Sequence, residues 1–466
     1  MHPPSPLELL HPDGVAGRAF VFGDGLPAAL RLGLPEDGQG EAGLVVVAPG
    51  GAAHGRAWLR DTAASVARTL APDGVVCVVT QRGALLRALE AEGFQTSGGF
   101  FRLPREEGTR LLASADSRVL RHAITVLLPP SPRRRLAAAV APLLKVPVHA
   151  MRRPGGRPPL EWLRRLVPEA DAGRVILVAA WRPEAATLVH VFADGRGTPV
   201  AVAKIGGREG EHEALATVAA SARVAGVATP VPLAAGRVGA AHVLVQSAVA
   251  GRPLSRELAR RPHRVGETVE RIADWLEAWN RATLAPGAFS RDAVRERLLS
   301  PARELAPLLP DAPAYEGWIG GLCDRLEPLP AVAAHNDLTT ANLLLASGNR
   351  LGVVDWEAAT PRDLPLRDLV YAGVDACLAA GDRPARSAVV DDYLDGGRAR
   401  ALVGPLVARY GAGLGLGPRE TVACVHACFL EHAVNEVRRG VRDGEFVRIA
   451  ARLASDPDRT AERIAR

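Results

Sequence analysis

The segment between residues 334 and 357, AHNDLTTANLLLASGNRLGVVDWE, constrains the fold of this chain more than any other stretch. Two short apolar runs, NLLL and LGVVDW, flank the tripeptide Ser347-Gly348-Asn349, which is a strong turn signal. The pattern predicts a β-hairpin, preceded by the apolar strand AVAAH and a short loop. In such a hairpin Asn342, at the start, and Asp355, at the end, are expected to lie close together.

The polar residues of this segment come in an order that suits phosphoryl transfer. In that reaction one carboxylate orients the attacking hydroxyl group, while an amide and a second carboxylate hold Mg2+ against the phosphates of a nucleotide. Asp337, in the loop before the hairpin, is the candidate for the first role, and Asn342 and Asp355 are the candidates for the second. His335 is expected to support the loop. Any one of these residues alone could be a turn former, but the ordered set predicts a catalytic site.

With the later Pro365 and the pair Asp368-Leu369, this segment resembles the catalytic core of the aminoglycoside phosphotransferase and choline kinase family, relatives of the protein kinases. The motif HNDL, the following Asn and the motif DWE carry the resemblance, which covers about residues 175–466. It implies a bilobal α+β protein-kinase-like fold and an ATP- and Mg2+-dependent transfer of a phosphoryl group to a hydroxyl. It also implies that Asp368 supports the catalytic loop.

Lysine is so rare in this chain that its position is informative. Among 57 basic residues only Lys145 and Lys204 are lysines. Lys204 ends the strand-like run TPVAVAKI, where the family has the lysine that contacts nucleotide phosphates, a role that suits a compact ammonium. The resemblance implies that a glutamate on the next helix orients this lysine. Glu213 fits best and Glu211 is the alternative, although an acid in a first helical turn can also serve the helix dipole alone.

The resemblance assigns two further segments. Ser247, Ala248 and Val249 follow the strand HVLVQ and are expected to present backbone groups to the adenine edge, with Gly251 closing the hinge. The loop 181–186, WRPEAA, corresponds to the loop that covers the nucleotide. It contains no glycine, which favours relatives that phosphorylate small molecules over protein kinases.

Residues 1–150 alternate strand-like and helix-like runs, which predicts a partial Rossmann-like parallel sheet. Their order resembles the second half of a class I S-adenosylmethionine-dependent methyltransferase. The cofactor half has too few residues, since only a short segment separates the nearest glycine-rich turn, Phe22–Gly25, from the strand GLVVVAP. We therefore predict a degenerate methyltransferase-like domain at 1–150 that serves recognition or dimerisation. A linker and lead-in helix at 151–174, an N-lobe at 175–250 and a C-lobe with a helical acceptor-binding region at 251–466 follow it.

Composition limits the classes of function. The net charge of +6 is spread along the chain without the Arg-aromatic pattern of a nucleic-acid binder, and no apolar stretch is long enough to span a membrane. A cytoplasmic enzyme is the expectation. Residues 370–466 carry no excess of acidic residues for a polycationic aminoglycoside and few aromatic residues for choline. The preferred acceptor is a neutral or anionic hydroxyl compound of sugar, glycan or natural-product type, with a peptidyl Ser or Thr as the alternative.

Two other functions stay open at this stage. A pseudokinase would use the same fold to bind or scaffold a partner, but it would be expected to lack a catalytic residue. Because the candidate lysine, base and metal ligands are all present, catalysis is favoured. The third hypothesis is a bifunctional methyltransferase-kinase, which would be expected to bind S-adenosylmethionine.

Overall fold

The structure, a computed structural model, divides into two compact units. Unit 1 comprises Met1–His212 and Val231–Ala248, and unit 2 comprises Glu213–Pro230 and Val249–Arg466. The residues that the structure describes are 8–11, 13, 19–22, 41–49, 56–79, 83–103, 109–114, 116–123, 127, 148–168, 170, 174–180, 186–207 and 210–465.

Unit 1 is built on a sheet of eleven described strands, in the spatial order β1-β2-β3-β6-β4-β5-β7-β8-β9-β11-β10. In chain order the strands β1 to β11 are Ala19–Phe22, Ala42–Val47, Leu70–Val79, Gln95–Leu103, Thr109–Ser114, Val148–Arg152, Val175–Ala180, Thr187–Val191, Ala201–Ile205, Pro232–Val238 and Ala241–Ser247. The helices of this unit, α1 to α4, are Arg56–Thr69, Gly83–Ala91, Ser117–His122 and Glu161–Leu166.

The expectation of a parallel sheet is met by three strands only. β1, β2 and β3 pair in parallel, whereas β3 pairs with β6, β6 with β4, and β4 with β5 in antiparallel fashion. The later strands of the sheet are antiparallel as well. The sheet is therefore mixed, and the predicted Rossmann-like order is wrong beyond β3.

The apolar strands of unit 1 are buried on both faces, which explains their nearly continuous apolar sequences. Alternate residues of β2 and β3 point to opposite sides of the sheet. Val45 and Val76 belong to a core with α1 and α2, whereas Val46 and Cys77 belong to a second core that includes Leu163 of α4. Each strand therefore contributes to two hydrophobic cores at once.

The predicted boundary near residue 150 falls inside this sheet. β6 ends at Arg152, inside the predicted linker segment 151–174, and its backbone pairs with strands from earlier in the chain on both sides. Strand β5 also pairs with β7, which the sequence assigned to the N-lobe. The compact units thus have other limits than the predicted domains, and the functional domain assignment stays a prediction.

Unit 2 is mostly helical. Helix α5, Glu211–Val224, begins in unit 1 and continues into unit 2. The helices α6 to α15 are Leu254–Arg260, Val265–Thr283, Arg291–Leu305, Ala312–Cys323, Arg367–Ala379, Arg386–Leu394, Arg398–Gly413, Pro418–Arg438, Glu445–Ser455 and Pro457–Ala465. The strands β12 to β17 are Arg252–Pro253, Ala285–Phe289, Leu329–Ala334, Leu343–Leu345, Leu351–Val353 and Thr360–Asp363. Among the described residues no helix has both the length and the apolar character needed to cross a membrane.

The predicted hairpin is present in unit 2. β15 and β16 pair in antiparallel register, Leu343 opposite Val353 and Leu345 opposite Leu351, and the turn between them has positive φ at Gly348 (72°). β12 pairs with β15 and completes a three-stranded sheet. Gly251, just before β12, has a φ of 139°, and a Cβ there would lie 2.9 Å from Leu344 Cβ. Only glycine fits this approach without strain, which gives the predicted hinge glycine a physical reason.

Candidate functional site

The loop after β14 is held by a buried carboxylate. β14 is fully buried and leads into His335, and the loop turns at Asn336, whose φ is 65°. Asp368, in the first turn of α10, accepts hydrogen bonds from the backbone N–H groups of His335 (2.7 Å) and Asn336 (2.9 Å). Burial raises the pKa of Asp368, and the neighbouring His335 and the two amide donors favour its charged form. Asp368 therefore fixes the backbone immediately before Asp337.

His335 links this loop to the end of the hairpin. Its Nε2 lies 3.0 Å from the carbonyl oxygen of Val354. A carbonyl oxygen can only accept, so Nε2 carries the proton and Nδ1 is free to accept from the N–H of Asp337 at 3.3 Å. Burial lowers the pKa of His335, which keeps the ring neutral. The edge of the ring packs on Trp356, with the ring centroids 4.8 Å apart.

Asp337 and Asn342 contact each other directly. Asn342 Nδ2 donates to the backbone oxygen of Asp337 at 2.9 Å and to its Oδ2 at 3.2 Å. Burial raises the pKa of Asp337 to about 6, and the negative charge of Asp355 adds to the rise, while the hydrogen bond from Asn342 opposes it. A carboxyl group with a pKa in this range is suited to exchange a proton near neutral pH.

The hairpin brings the third predicted residue to the same place. The N–H of Val354 donates to the carbonyl oxygen of Asn342 at 3.0 Å, so the residue before Asp355 lies beside Asn342. Asp355 itself has left-handed backbone geometry, with a φ of 67°, which Asp tolerates better than most residues. Asp337, Asn342 and Asp355 are thus brought together, as the hairpin predicts.

A second buried carboxylate, which the sequence did not single out, holds the far end of the catalytic loop. Asp375 Oδ2 accepts from the backbone N–H (2.8 Å) and the hydroxyl (2.5 Å) of Thr340. The other oxygen of Asp375 pairs with Arg386. Asp368 and Asp375 are seven residues apart, so they lie on one face of α10 two turns apart. That spacing in the sequence was the signal that could have found Asp375.

In unit 1, Lys204 lies on β9 between two neighbouring strands. Its side chain is buried and its Nζ lies 3.0 Å from Oε2 and 3.1 Å from Oε1 of Glu211, which is also buried. Glu213 is exposed. The choice of Glu213 as the partner is therefore wrong and the alternative, Glu211, is correct. Each helical residue turns by about 100°, so two residues on, the Glu213 side chain points away from the strand.

At the predicted hinge, two backbone donors already have partners within unit 1. The N–H of Ser247 donates to Val231 (2.8 Å) and that of Ala248 donates to Val200 (3.0 Å). In unit 2 the Val249 side chain covers Gly352, where an added Cβ would lie 2.5 Å from Val249 Cγ1. Contact of this segment with adenine stays a prediction, and it would have to use groups other than these two N–H donors. Most of the predicted covering loop, 181–185, lies outside the described residues.

The predicted magnesium ligands offer the oxygen donors that this cation prefers. Asn342 uses its NH2 group on Asp337, and its Oδ1 accepts no hydrogen bond within the described part of the chain. Besides burial, the charges of Asp355 and Glu357 raise the pKa of Asp337, so negative charge accumulates here. A small divalent cation fits this donor set. Among the described residues, no group of three or more His, Cys, Asp or Glu side chains could hold a metal ion. The predicted site differs from such a group, because its two ligands are one amide and one carboxylate.

Comparison with known proteins agrees with these motifs. Residues 203–404 match the model of the family described as "Phosphotransferase enzyme family" (APH). No curated protein matches the chain. Neither the family match nor the structural likenesses that follow support the methyltransferase resemblance predicted for residues 1–150.

Several solved structures are similar to the chain at low identity. A thermostable mutant of aminoglycoside phosphotransferase APH(4)-Ia, in complex with ADP and hygromycin B, is 12% identical and has a TM-score of 0.42, over 65% of this chain and 97% of its own. APH(3'')-Id from Streptomyces rimosus, in complex with ADP and streptomycin, is 20% identical with a TM-score of 0.32, over 52% and 90%. ADP-bound APH(2'')-Ib is 12% identical with a TM-score of 0.36, over 64% and 97%.

At such scores these likenesses carry no argument about substrate, and the family match rests on residues 203–404. That range contains Lys204 and Glu211 as well as Asp337, Asn342 and Asp355. Over this range the sequence matches the phosphotransferase enzyme family, which confirms the resemblance predicted from its catalytic motifs and supports the expectation of an enzyme.

Proposed function

We propose that this protein transfers the γ-phosphoryl group of ATP to a hydroxyl group of a small molecule. The observation that carries the proposal is the state of Asp337. Its carboxylate accepts a hydrogen bond from Asn342, and its backbone N–H donates to Nδ1 of His335. Burial and the charge of Asp355 raise the pKa of this carboxyl group to about 6. It is thus suited to orient an attacking hydroxyl and to accept its proton.

In the proposed reaction Asp337 takes up the proton of the acceptor hydroxyl. The hydroxyl oxygen forms a bond to the γ-phosphorus, and the bond from that phosphorus to the departing ADP oxygen breaks. Lys204, oriented by Glu211, contacts the nucleotide phosphates, and the segment Ser247–Val249 contacts the adenine. Asn342 and Asp355 would hold Mg2+, which when bound would neutralise part of the negative charge that the phosphates carry. Electrostatic positioning supplies most of the rate enhancement in this scheme.

The preferred acceptor is a neutral or anionic hydroxyl compound, and an aminoglycoside is disfavoured. This preference rests on the helical region after residue 370, which has no excess of acidic residues. We further propose that the protein acts in the cytoplasm and that residues 1–150 serve recognition or dimerisation.

The test is thermal unfolding with ATP, with and without Mg2+, of the wild type, Asp337→Asn and Asp355→Asn. A ligand that binds only the folded state raises the melting temperature by mass action. We expect a Mg2+-dependent rise in the wild type and in Asp337→Asn, which keeps both metal ligands, and its loss in Asp355→Asn.

The absence of a rise in the wild type at millimolar MgATP would contradict the proposal and favour a pseudokinase that binds a partner. An unchanged rise in Asp355→Asn would contradict the role of that residue alone. S-adenosylmethionine is tested in parallel. Binding of that compound to the wild type would favour the alternative of a bifunctional methyltransferase-kinase.

A further inference from the structure

The far end of the catalytic loop is held by Thr340, a buried residue whose three polar groups all have partners. Its backbone N–H (2.8 Å) and its hydroxyl (2.5 Å) both donate to Asp375 Oδ2. Its carbonyl oxygen accepts from the N–H of Ser255 at 3.0 Å. The side chain of Asp375 therefore takes two of the three bonds that fix Thr340.

One peptide group connects this bond to the candidate catalytic residues. The peptide between Thr339 and Thr340 gives its N–H to Asp375, and its carbonyl oxygen accepts from the N–H of Asn342 at 3.0 Å. The N–H of Thr339 donates to the carbonyl oxygen of Asp337 at 2.8 Å. Because a peptide group is planar and rigid, a rotation at its N–H moves its carbonyl oxygen as well. The position of Asp375 thus bears on the backbone of both Asp337 and Asn342.

Asp375 is itself oriented by Arg386. The side chain of Asp375 is buried, and its second oxygen, Oδ1, pairs with Arg386 Nη2, so each carboxylate oxygen has its own partners. The guanidinium of Arg386 lies over the rings of Tyr371 (6.0 Å) and Phe446 (5.8 Å). The backbone N–H of Arg386 donates to Glu445 Oε2 at 2.6 Å. Arg386 is therefore fixed by its backbone and by its side chain, and it connects α10, α11 and α14.

Stability alone does not explain this arginine. Arg386 is the first residue of α11, and the first turn of this helix contains no acidic residue. A positive charge at a helix N-terminus is disfavoured by the helix dipole. Replacement of a largely buried ion pair by apolar side chains of similar volume is often neutral for stability. What the pair does supply is a carboxylate with one fixed orientation.

We propose that Arg386 is a positioning residue for phosphoryl transfer. It fixes Asp375, and through Asp375 and Thr340 it holds the loop that presents the candidate base and the candidate metal ligand. The inference rests on the proposed function, because it concerns the same site. A misplacement of about 1 Å in a catalytic group can cost about 10²-fold in rate, so a loosened loop lowers turnover more than it lowers nucleotide binding.

The test compares the wild type with three variants. Arg386→Met keeps an apolar stem beside the two rings but leaves Asp375 without its counter-charge, whereas Arg386→Lys keeps a positive charge there. Arg400→Met is the matched control. Arg400 also lies over a tyrosine ring, that of Tyr393 at 4.8 Å, but it forms no ion pair with any described residue.

The first measurement needs no nucleotide. Hydrogen exchange, followed by mass spectrometry of peptides that cover residues 336–345, reports how often the loop opens. We expect exchange in Arg386→Met to be about tenfold faster than in the wild type, the effect of weakening one charge-assisted hydrogen bond. Arg386→Lys should restore most of the protection, and Arg400→Met should exchange at the wild-type rate. Peptides of α7, residues 265–283, are the internal reference and should not change in any variant.

The second measurement follows the reaction with water in place of the acceptor. MgATP hydrolysis gives kcat and the KM for MgATP, and thermal unfolding with MgADP and aluminium fluoride reports binding of a mimic of the transferred phosphoryl group. We expect Arg386→Met to lower kcat about tenfold, with the KM for MgATP unchanged within about twofold. It should also lower the rise in melting temperature that the fluoride mimic produces. Arg386→Lys should recover most of both quantities.

Three outcomes would overturn the inference. The first is wild-type exchange of residues 336–345 in Arg386→Met. The second is equally faster exchange in α7, which would make the arginine a support of the whole fold. The third is an equal loss in Arg386→Lys and Arg386→Met, which would exclude the charge as the cause. All three appear only in the variants, whereas failure of the proposed function would abolish the MgATP-dependent shift of the wild type itself, so the two failures are distinguishable.

Discussion

The charged groups around Lys204 and those around Asp337 are arranged in opposite ways. In unit 1, Lys204 and Glu211 form a buried ion pair, so the positive charge of the lysine is balanced inside the protein. In unit 2, Asp337 lies near Asp355 and Glu357, and these like charges raise its pKa in addition to the effect of burial. One region pairs its charges, and the other accumulates negative charge.

This difference indicates two uses of electrostatics. A buried pair fixes a side chain in one orientation, at a desolvation cost that its own attraction must offset. Accumulated like charge destabilises the free protein slightly and attracts a cation, because each added carboxylate strengthens the field at the site. Lys204 is thus oriented by a partner within the protein, whereas we expect the carboxylates to bind a cation from solution.

Replacement of Asp337 by Asn tests whether this carboxylate, within the group of like charges, acts as the catalytic base. The variant cannot accept the proton of the acceptor hydroxyl, so we expect kcat to fall about 10²- to 10⁴-fold. MgATP affinity should be retained, because Asn342 and Asp355 remain. Steady-state transfer and nucleotide titration measure the two quantities, and wild-type turnover in this variant would show that Asp337 is not the base.

The paired region is tested by breaking one partner. Glu211→Gln leaves Lys204 buried without its counter-charge, so we expect the free energy of unfolding to fall by about 3–5 kcal/mol. Glu213→Gln, on the exposed side of the same helical turn, should change it by less than about 0.5 kcal/mol. Urea unfolding distinguishes them, and equal effects of the two substitutions would contradict the assignment of the pair.

A double substitution sharpens the same comparison. Lys204→Met combined with Glu211→Leu replaces the ion pair by apolar side chains of similar size, which often restores stability. We expect urea unfolding close to that of the wild type, together with loss of the MgATP-dependent thermal shift. An unchanged shift would mean that the pair serves structure alone.

Removal of the carboxylate that holds the catalytic loop should have a smaller effect on stability. Asp368→Ala leaves the buried N–H groups of His335 and Asn336 without their acceptor, and we expect a loss of about 2–4 kcal/mol in the free energy of unfolding. Asp368→Asn retains one acceptor oxygen and should lose less. Urea unfolding of both variants provides the measurement, and a greater loss in Asp368→Asn than in Asp368→Ala would be inconsistent with this account.

The smallest effect expected is that of Mg2+ without nucleotide. If the carboxylates attract a cation, Mg2+ at ten times its dissociation constant should stabilise the wild type by about 1.4 kcal/mol, and EDTA should reverse the change. Asp355→Asn should respond less. A response of equal size in that variant would place the cation elsewhere.

The local parts of the site could be predicted from sequence. The hairpin brings Asn342 close to Asp355 because a three-residue turn and the two-residue repeat of side chains along a strand fix the register of its strands. The turn and the repeat can both be recognised in the sequence. Asp337 follows from its place in the loop before the hairpin. These predictions needed no contact between distant segments.

The parts that depend on distant contacts could not be predicted. Whether Glu211 or Glu213 faces Lys204 depends on the orientation of the first turn of α5 relative to β9, which the helical pattern alone leaves open. The mixed parallel and antiparallel pairing of the sheet also could not be predicted, because an alternation of strands and helices in the sequence does not specify antiparallel partners.

The place of β6 in the sheet has a consequence for synthesis on the ribosome. β6 lies between β3 and β4, although it follows both in the chain. Chains emerge N-terminus first at about 5–20 residues per second, so the interval between Leu103 and Arg152 lasts roughly 3–10 s. During that time the apolar strand β3 lacks its neighbour on one edge, and such an edge can pair with other chains. The nascent protein therefore exposes this edge of β3 to aggregation until residue 152 emerges, before any of the candidate catalytic residues has been made.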